Sequence, residues 1–526
     1  MTNATAVRVG RETYLAARVL NALVRENVGG LAGRLSWDKA GAYVPLSASR
    51  RVRLAPGFPS GGLDGLFQDF TVAPGERLRL REVLATLGRI ADPADAEGVA
   101  AFREECRQTL TGLELLDRHR ASVEDRLPEL GQIRYEVLAA FTDHPIYPTA
   151  RCRHGLSEEE LLAYAPEFAP RFTLRWAAVP GAGPVPEFFP SFAAVGLPPG
   201  LAATHRLFPV HPLSLPRVNA VVAPLDFLPV RPTLSMRTVE VAPRTHLKMP
   251  LATATLGARN RRSIKPGVLD DGARAERLLA EVLDRHPGMR VCLAGEQEFA
   301  HSGDEFLAWM ARRLPEGEIV SVAALTVPGV AEALADRHYR GDAEALLTDY
   351  LRALLSWNVA LFVRYGVALE AHQQNLALVF GDGPMRLLVK DNDGLLASPD
   401  HLAAAGIDVP AFADERMLTG DPHALADVFV TITLHLAAAA VTLRPGLVRA
   451  VLAETLAAYG DHPMARLLRN RTLEAARLVG KSMVTAGSLV SKARSGAKDI
   501  NKFYGTSGPN YLRPVDQRRG SPGPCT

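Results

Sequence analysis

Cysteine is scarce in this 526-residue chain: Cys106, Cys152, Cys292 and Cys525 stand far apart, with no CxxC pair and no histidine at ligand spacing. That pattern excludes a sequence-encoded zinc finger or iron–sulfur cluster and points to free thiols in a reducing compartment. No GxxxxGK[ST] occurs, so any nucleotide site is not a Walker-type loop. No run of about 18 uncharged apolar residues occurs either, and the first residues, MTNATAVRVGRETY, lack an apolar signal core. A protein neither exported nor membrane-spanning is expected. Basic residues (60) barely outnumber acidic ones (57) and form no basic tail, so nucleic acid is not an expected partner. No convincing Ser-His-Asp or Cys-His set is present, which argues against an enzyme nucleophile.

What the chain does have is 47% hydrophobic and 22% charged residues, enough to bury a large core in two or three domains. Helical periodicity over 11–27 and 81–125 flanks a strand-like RRVRLAP segment, giving a mixed N-terminal domain. From about 140 to 270, prolines cluster in HPIYP, YAPEFAP, VPGAGPVPEFFP and FPVHPLSLP, which predicts loops and short strands of the kind that carry sites. Helical periodicity returns over 273–287 and 330–364, with Gly366 as a C-terminal stop. NLALVFGDGPMRLLVKD then reads as a β-hairpin, and helices dominate from about 411 to 495. The Gly/Pro/Arg-rich end at 516–526 reads as a flexible tail.

Four stretches carry candidate chemistry. The hairpin brings Glu370, His372, Gln373, Gln374 and Asn375 to the same end as Lys390, Asp391, Asn392 and Asp393. That set of carboxylates, amides and an imidazole suits Mg²⁺ on nucleotide phosphates, by analogy with kinase metal loops. Between Thr233 and Pro266, Ser235, Arg237, Thr238, Lys248 and later arginines interleave with short apolar runs. Hydroxyls and cations placed so grip phosphate or carboxylate oxygens, Arg as a fork and Lys as a point charge. HPIYPTARCRHG, from His144 to Gly155, and PVHP, from Pro209 to Pro212, complete the set.

In order and spacing these segments resemble the IucA/IucC family of NRPS-independent siderophore (NIS) synthetases. HPIYPTARCRHG is similar to the family's HPxHPxxKxRxG, with Tyr147 for the second His and Arg151 for Lys; YAPEF is similar to a YxPEF-like segment. PVHP resembles PxHPWQ with Leu213 and Ser214 in place of Trp and Gln, and SMRT, HLKMPL, LEAHQQN and KDNDG resemble SxRT, hxKLxL, EAHxQN and RDxxG. The match runs from about 140 to 440.

The resemblance implies an α+β, hand-like architecture of thumb, fingers and palm, the palm carrying a kinase-like hairpin. The corresponding division is a thumb over 1–135, fingers over 136–330 and a palm over 331–515. It implies ATP and Mg²⁺ as cofactors and a carboxylic acid joined to an amine, hydroxylamine or alcohol through an acyl-adenylate, citrate being the family's commonest acid. Ser235, Arg237, Thr238 and Lys248 would contact ATP phosphates, with Arg151 or Arg153 assisting. His372 and Gln374 would lie where phosphate meets carboxylate, and Glu370 and Asp391 would hold Mg²⁺. Thr255 and an arginine would take the substrate carboxylate: Arg259 fits by its distance from Thr255, Arg262 by the RxIxP that follows it. A cytoplasmic homodimer is implied. The family's C-terminal region is related to ferric-reductase-like proteins, but iron is not expected as a cofactor here. Two other classes compete: a non-catalytic nucleotide- or siderophore-binding homologue and a kinase-like phosphotransferase.

Overall fold

The computed structural model describes residues 3–39, 41–47, 49–56, 70–497 and 502–513. The tail expected at 516–526, with Cys525, lies outside them. The N-terminal helices Asn3–Arg25, Leu80–Ile90 and Ala96–Glu124 pack beside an antiparallel four-stranded sheet. Leu15, Val19, Leu23, Val83, Leu87 and Phe102 point from these helices into one apolar cluster. That cluster also takes in Leu436, Met483, Val484 and Leu489, so the first and last parts of the chain share a core.

The Pro-rich middle forms the expected short strands and loops. Its main sheet has eight strands in the order Gly295–His301, Ala308–Arg313, Thr245–Lys248, Thr238–Ala242, Phe227–Pro232, Phe172–Pro180 and His205–Val210, with Val221–Val222 also on Phe172–Pro180. Neighbours along this path run antiparallel. Trp309 and Phe208 are buried against the sheet because alternate positions of each strand face the same side.

The segment read as a hairpin is one. Leu376–Phe380 pairs antiparallel with Arg386–Val389 across Gly-Asp-Gly-Pro, and Glu318–Ser321 and the parallel strand Val291–Leu293 flank the pair. All five residues of Leu376–Phe380 are buried, since helices cover this small sheet. Foremost is Ala343–Ala360, capped at its start by the Asp342 carboxylate accepting from the Ala345 amide. Two helical stretches, Ala343–Tyr365 and Pro422–Thr442, are long and apolar enough to cross a membrane by composition. Within the fold, 78% and 83% of their apolar windows are buried, and they are the centre of the largest apolar cluster.

The helical run through Tyr365 stops at Gly366, which adopts φ 60° and turns the chain into the short strand Val367–Ala368 that precedes the hairpin. A Cβ there would lie 2.6 Å from the His401 Cβ and 2.9 Å from the Ser398 Cβ. Gly366→Ala is therefore expected to cost about 2 kcal/mol, combining left-handed strain with this collision. Chemical denaturation checks this, and a loss within experimental error would contradict the assignment of Gly366 as an obligatory stop.

Candidate functional site

The SMRT segment is the tight turn between two sheet strands. Thr233 donates through both its amide and its hydroxyl to the Thr238 carbonyl, each at 2.9 Å, and Met236 takes φ 62° with its side chain buried. This turn places Thr238 directly opposite Lys248 in the register of the next strand. Lys248 is 1% exposed. A buried ammonium is tolerated only beside anions, and here its Nζ meets the Asp391 carboxylate and Asp393 at 3.3 Å. SMRT, Lys248 and the hairpin end are thus brought together by strand register and the two ion pairs of Lys248.

Asp391 is held from a second side. Its amide donates to both oxygens of Glu296, at 3.0 and 3.1 Å, while Glu296 pairs with Arg312, whose guanidinium lies 3.8 Å from the Asp391 carboxylate. Burial works against the Asp391 charge, but Lys248, Arg312 and Arg237 outweigh it and hold the carboxyl well below the usual range. Burial and the Asp391 charge together push the Glu296 carboxyl up, against the pull of Arg312. Asp391 itself sits at φ 65°, a strained conformation that the surrounding contacts over-determine.

The EAHQQN segment coils into a turn at the other strand end. The Glu370 carbonyl accepts from the His372 amide at 2.9 Å and from the Asn375 side chain at 3.2 Å, and the Lys390 amide closes the turn onto the Asn375 carbonyl at 3.1 Å. His372 Nδ1 accepts from the Gln374 amide at 3.2 Å, so the neutral ring carries its proton on Nε2. Burial, with Lys481, Arg262 and Lys390 nearby, pushes His372 down to about 4 against the opposing pull of Asp391. His144 behaves alike: its Nδ1 accepts from the Tyr147 amide at 3.0 Å, and burial, His372, Arg18 and Lys481 lower it to about 3.

Two arginines beside this centre lack a compensating carboxylate at ion-pair distance among the described residues. Arg237 donates to the carbonyls of Arg262 and Ser263, each at 3.4 Å, and Arg262 donates through Nε to the Thr255 hydroxyl. Burial together with the Arg237 and Arg153 charges pushes Arg262 down to about 9, with Asp391 in partial opposition. Such a cation cluster favours an incoming anion. Arg259, the other arginine proposed for the carboxylate, is instead turned toward the backbone of Ala486 at 3.5 Å.

Arg151 departs from expectation. It is buried, ion-paired with Asp143 at 2.6 Å, and bonded to the carbonyls of Ala140 and Phe141 at 3.1 and 2.7 Å. Its donors are aimed at protein oxygens, so it braces the fold instead of facing a phosphate. Arg153 is half-buried, 3.6 Å from Glu167, and close enough to Arg262 to depress it. For Mg²⁺, Glu370 and Asp391 do line one small cavity. The Glu370 carboxylate, however, packs where a Cβ on Gly394 would be, whereas the carboxylates that converge on one point are Asp391 and Asp393. Among the described residues no three or more His, Cys, Asp or Glu gather as a metal cage. Magnesium ordinarily takes one or two carboxylates plus substrate phosphates, and Asp391 with Asp393 or Glu370 fits that need.

Sequence reasoning missed Glu296, Arg312 and Lys481. The available signal for Arg312 was a pair of arginines closing the otherwise apolar AWMARR strand, of which Arg312 is the buried one. A cavity of about 550 Å³ lies beside the centre, not within it. Its wall includes Glu136, whose carboxylate is 3.3 Å from Lys390. The charged cluster is the better guide to chemistry, because it unites buried ionisable groups from separate elements.

With this geometry established, comparison gives the fold: the chain has the fold of the NIS synthetases and is similar to the IucA/IucC family over a short segment. The IucA / IucC family matches residues 132–182, and the ferric iron reductase FhuF-like transporter family matches 344–481. Among solved structures, the petrobactin biosynthesis protein AsbB of Bacillus anthracis superposes with a TM-score of 0.71 at 14% identity, covering 97% of this chain and 98% of that one. ATP-bound aerobactin synthetase IucA of Klebsiella pneumoniae superposes with a TM-score of 0.66 at 19% identity, covering 95% and 99%. In sequence, the chain is 26% identical to staphyloferrin B synthase of Staphylococcus aureus, over 53% of this chain and 56% of that protein. It is 27% identical to aerobactin synthase of Escherichia coli, over 61% and 65%. The chain spans about half the length of the first curated relatives it matches.

Buried neutral histidines also set an acid limit. His144, His211 and His435 are pushed down to about 3 by burial, foremost, and His372 to about 4. Unfolded, each titrates near 6.5. Between that value and about 4 the unfolded chain binds more protons, so stability rises with pH across this window and falls on acidification. Each histidine contributes a slope of up to about 1.4 kcal/mol per pH unit. Calorimetry is expected to give a lower melting temperature at about pH 5 than at about pH 7.5; equal values would contradict the neutral assignments.

Proposed function

We propose that the chain is an ATP-dependent siderophore synthetase that activates a carboxylic acid, citrate or a related di- or tricarboxylate, and joins it to an amine, hydroxylamine or alcohol. The observation that carries the reading is the pair Arg237 and Arg262, without carboxylate partners at ion-pair distance among the described residues, beside Lys248, Asp391 and a neutral His372. In support, a protein of the same fold, aerobactin synthetase IucA of Klebsiella pneumoniae, is ATP-bound in its structure. The fold divides, on this reading, into a thumb over 1–135, fingers over 136–330 and a palm over 331–515.

Arg237 and the Ser235 and Thr238 hydroxyls hold phosphate oxygens, while Lys248 neutralises charge from the sheet side and fixes Asp391. Magnesium, when present on the phosphates, supplies charge neutralisation and orientation, with Asp391 and a neighbouring carboxylate as its protein ligands. Arg262 and Thr255 fix one substrate carboxylate so that a second attacks the α-phosphorus, expelling pyrophosphate and leaving an acyl-adenylate. His372, neutral with Nε2–H, donates to the oxygen that gains charge, and Gln374 keeps the ring in that tautomer. The acceptor's nitrogen or oxygen then attacks the acyl carbon and releases AMP. No covalent enzyme intermediate is required.

Acid-dependent pyrophosphate release with ATP and Mg²⁺, across citrate, 2-oxoglutarate, succinate and succinyl-hydroxamates, tests this reading. Arg237→Ala and His372→Ala are expected to abolish it. Arg262→Ala is expected to raise the acid's KM by about 30-fold or more, the worth of a charge-assisted contact, while Arg259→Ala shifts it by only about two- to threefold. ATP binding without release for any acid would favour a binding protein, and ADP as product would favour a phosphotransferase.

A further inference from the structure

Glu105 lies on the Ala96–Glu124 helix next to Glu104, which pairs with Arg107 and Gln108 on the outside. Glu105 points inward and is 0% exposed. A carboxylate in such a place persists only if donors satisfy it. Oε2 accepts from the hydroxyls of Tyr147 and Thr149, each at 2.9 Å. Oε1 accepts from the Ala258 amide at 3.1 Å and from the Ser488 hydroxyl, with His154 Nε2 at 3.5 Å.

These donors come from three separate segments. One is the HPIYPTARCRHG stretch, whose His154 amide donates to the Ala254 carbonyl at 3.1 Å and whose His154 carbonyl accepts from Thr253 at 2.8 Å. The second is the loop from Thr255 to Asn260. The third is the turn Thr485–Leu489, whose Gly487 carbonyl accepts from the Arg259 amide at 3.2 Å. Loop and turn touch so closely that a Cβ on Gly257, at φ 115°, would lie 2.7 Å from the Gly487 carbonyl oxygen. One buried charge thus clamps the loop whose first residue, Thr255, receives the Arg262 side chain.

We infer that Glu105 is a positioning residue for the substrate carboxylate: it never touches substrate but fixes the Thr255–Asn260 loop so that Thr255 and Arg262 present one geometry. Tyr147, which stands where the related motif has a second histidine, serves this clamp as a donor to Glu105. The inference rests on the reading that Thr255 and Arg262 receive the acid.

Glu105→Gln keeps the volume and removes the charge that strengthens these bonds. Two measurements on the full chain test it: amide hydrogen exchange, and KM values for acid and for ATP in pyrophosphate release. The expected result is faster exchange at 255–260 with the 376–389 hairpin unchanged, together with an acid KM raised about tenfold and an ATP KM within about twofold. Tyr147→Phe and Ser488→Ala, each deleting one donor, are expected to move the acid KM the same way by less. An unchanged acid KM in a folded Glu105→Gln protein, an equal rise in both KM values, or undiminished loop protection would each overturn the assignment. Failure of wild-type protein to release pyrophosphate with any acid would instead sink the adenylation reading, and the exchange data would still decide whether Glu105 holds the loop.

Discussion

The contact between Lys248 and Asp391 ties a sheet strand to the end of a hairpin more than a hundred residues later. Neither charge is stable alone at such depth, and each makes the other's burial possible. The arrangement is therefore two-sided: without the aspartate the lysine would withdraw toward water, and without the lysine the strained backbone at Asp391 would lose a principal restraint. The rest of the centre is built around this pair. Arg312 and Glu296 extend it across neighbouring strands, and Thr238 faces Lys248 through register alone.

Charge is distributed unequally around that pair, and this gives the site its chemical direction. On the sheet side, Lys248 and Arg312 are matched by Asp391, Asp393 and Glu296. On the far side Arg237, Arg262 and Arg153 lie together, and burial, followed by the charges of Arg237 and Arg153, pushes Arg262 down to about 9. A protein that maintains mutually repelling cations beside a compensated cluster gains nothing from them in folding. On the proposed reading a bound polyanion would relieve that repulsion, so the feature that weakens the fold alone would strengthen the complex.

Much of this was legible in the sequence where the determinants are local. The hairpin followed from two apolar runs joined by Gly-Asp-Gly-Pro and the helix stop from Gly366, while the grouping of Ser235, Arg237 and Thr238 with Lys248 followed from the resemblance of their motifs. What was not legible depends on which way a side chain faces in three dimensions. Glu104 and Glu105 are adjacent and chemically identical, yet one is solvated and the other is completely buried. Arg151 and Arg153 stand two apart in one motif, yet the first is enclosed by Asp143 and two carbonyls while the second reaches the arginine cluster. Glu296 and Arg312 come together within one hairpin but meet Asp391 only through tertiary contact with a distant part of the chain.

His372 and His144 show how the fold fixes a proton's location through backbone amides. In each ring Nδ1 is occupied by a backbone amide one turn away, so only Nε2 is left to carry the hydrogen. Burial and surrounding cations then prevent a second proton from binding until well below neutral pH. A charged imidazolium would add to a cation cluster already under strain and would donate from a ring whose acceptor role is lost. A neutral one offers a single directed donor whose strength does not change across the physiological range. Local turn geometry thus sets the tautomer, and the distant arginines and lysines set the charge. The two meet because the hairpin end that the EAHQQN turn closes leads into Asp391, which pairs with Lys248 of the neighbouring eight-stranded sheet.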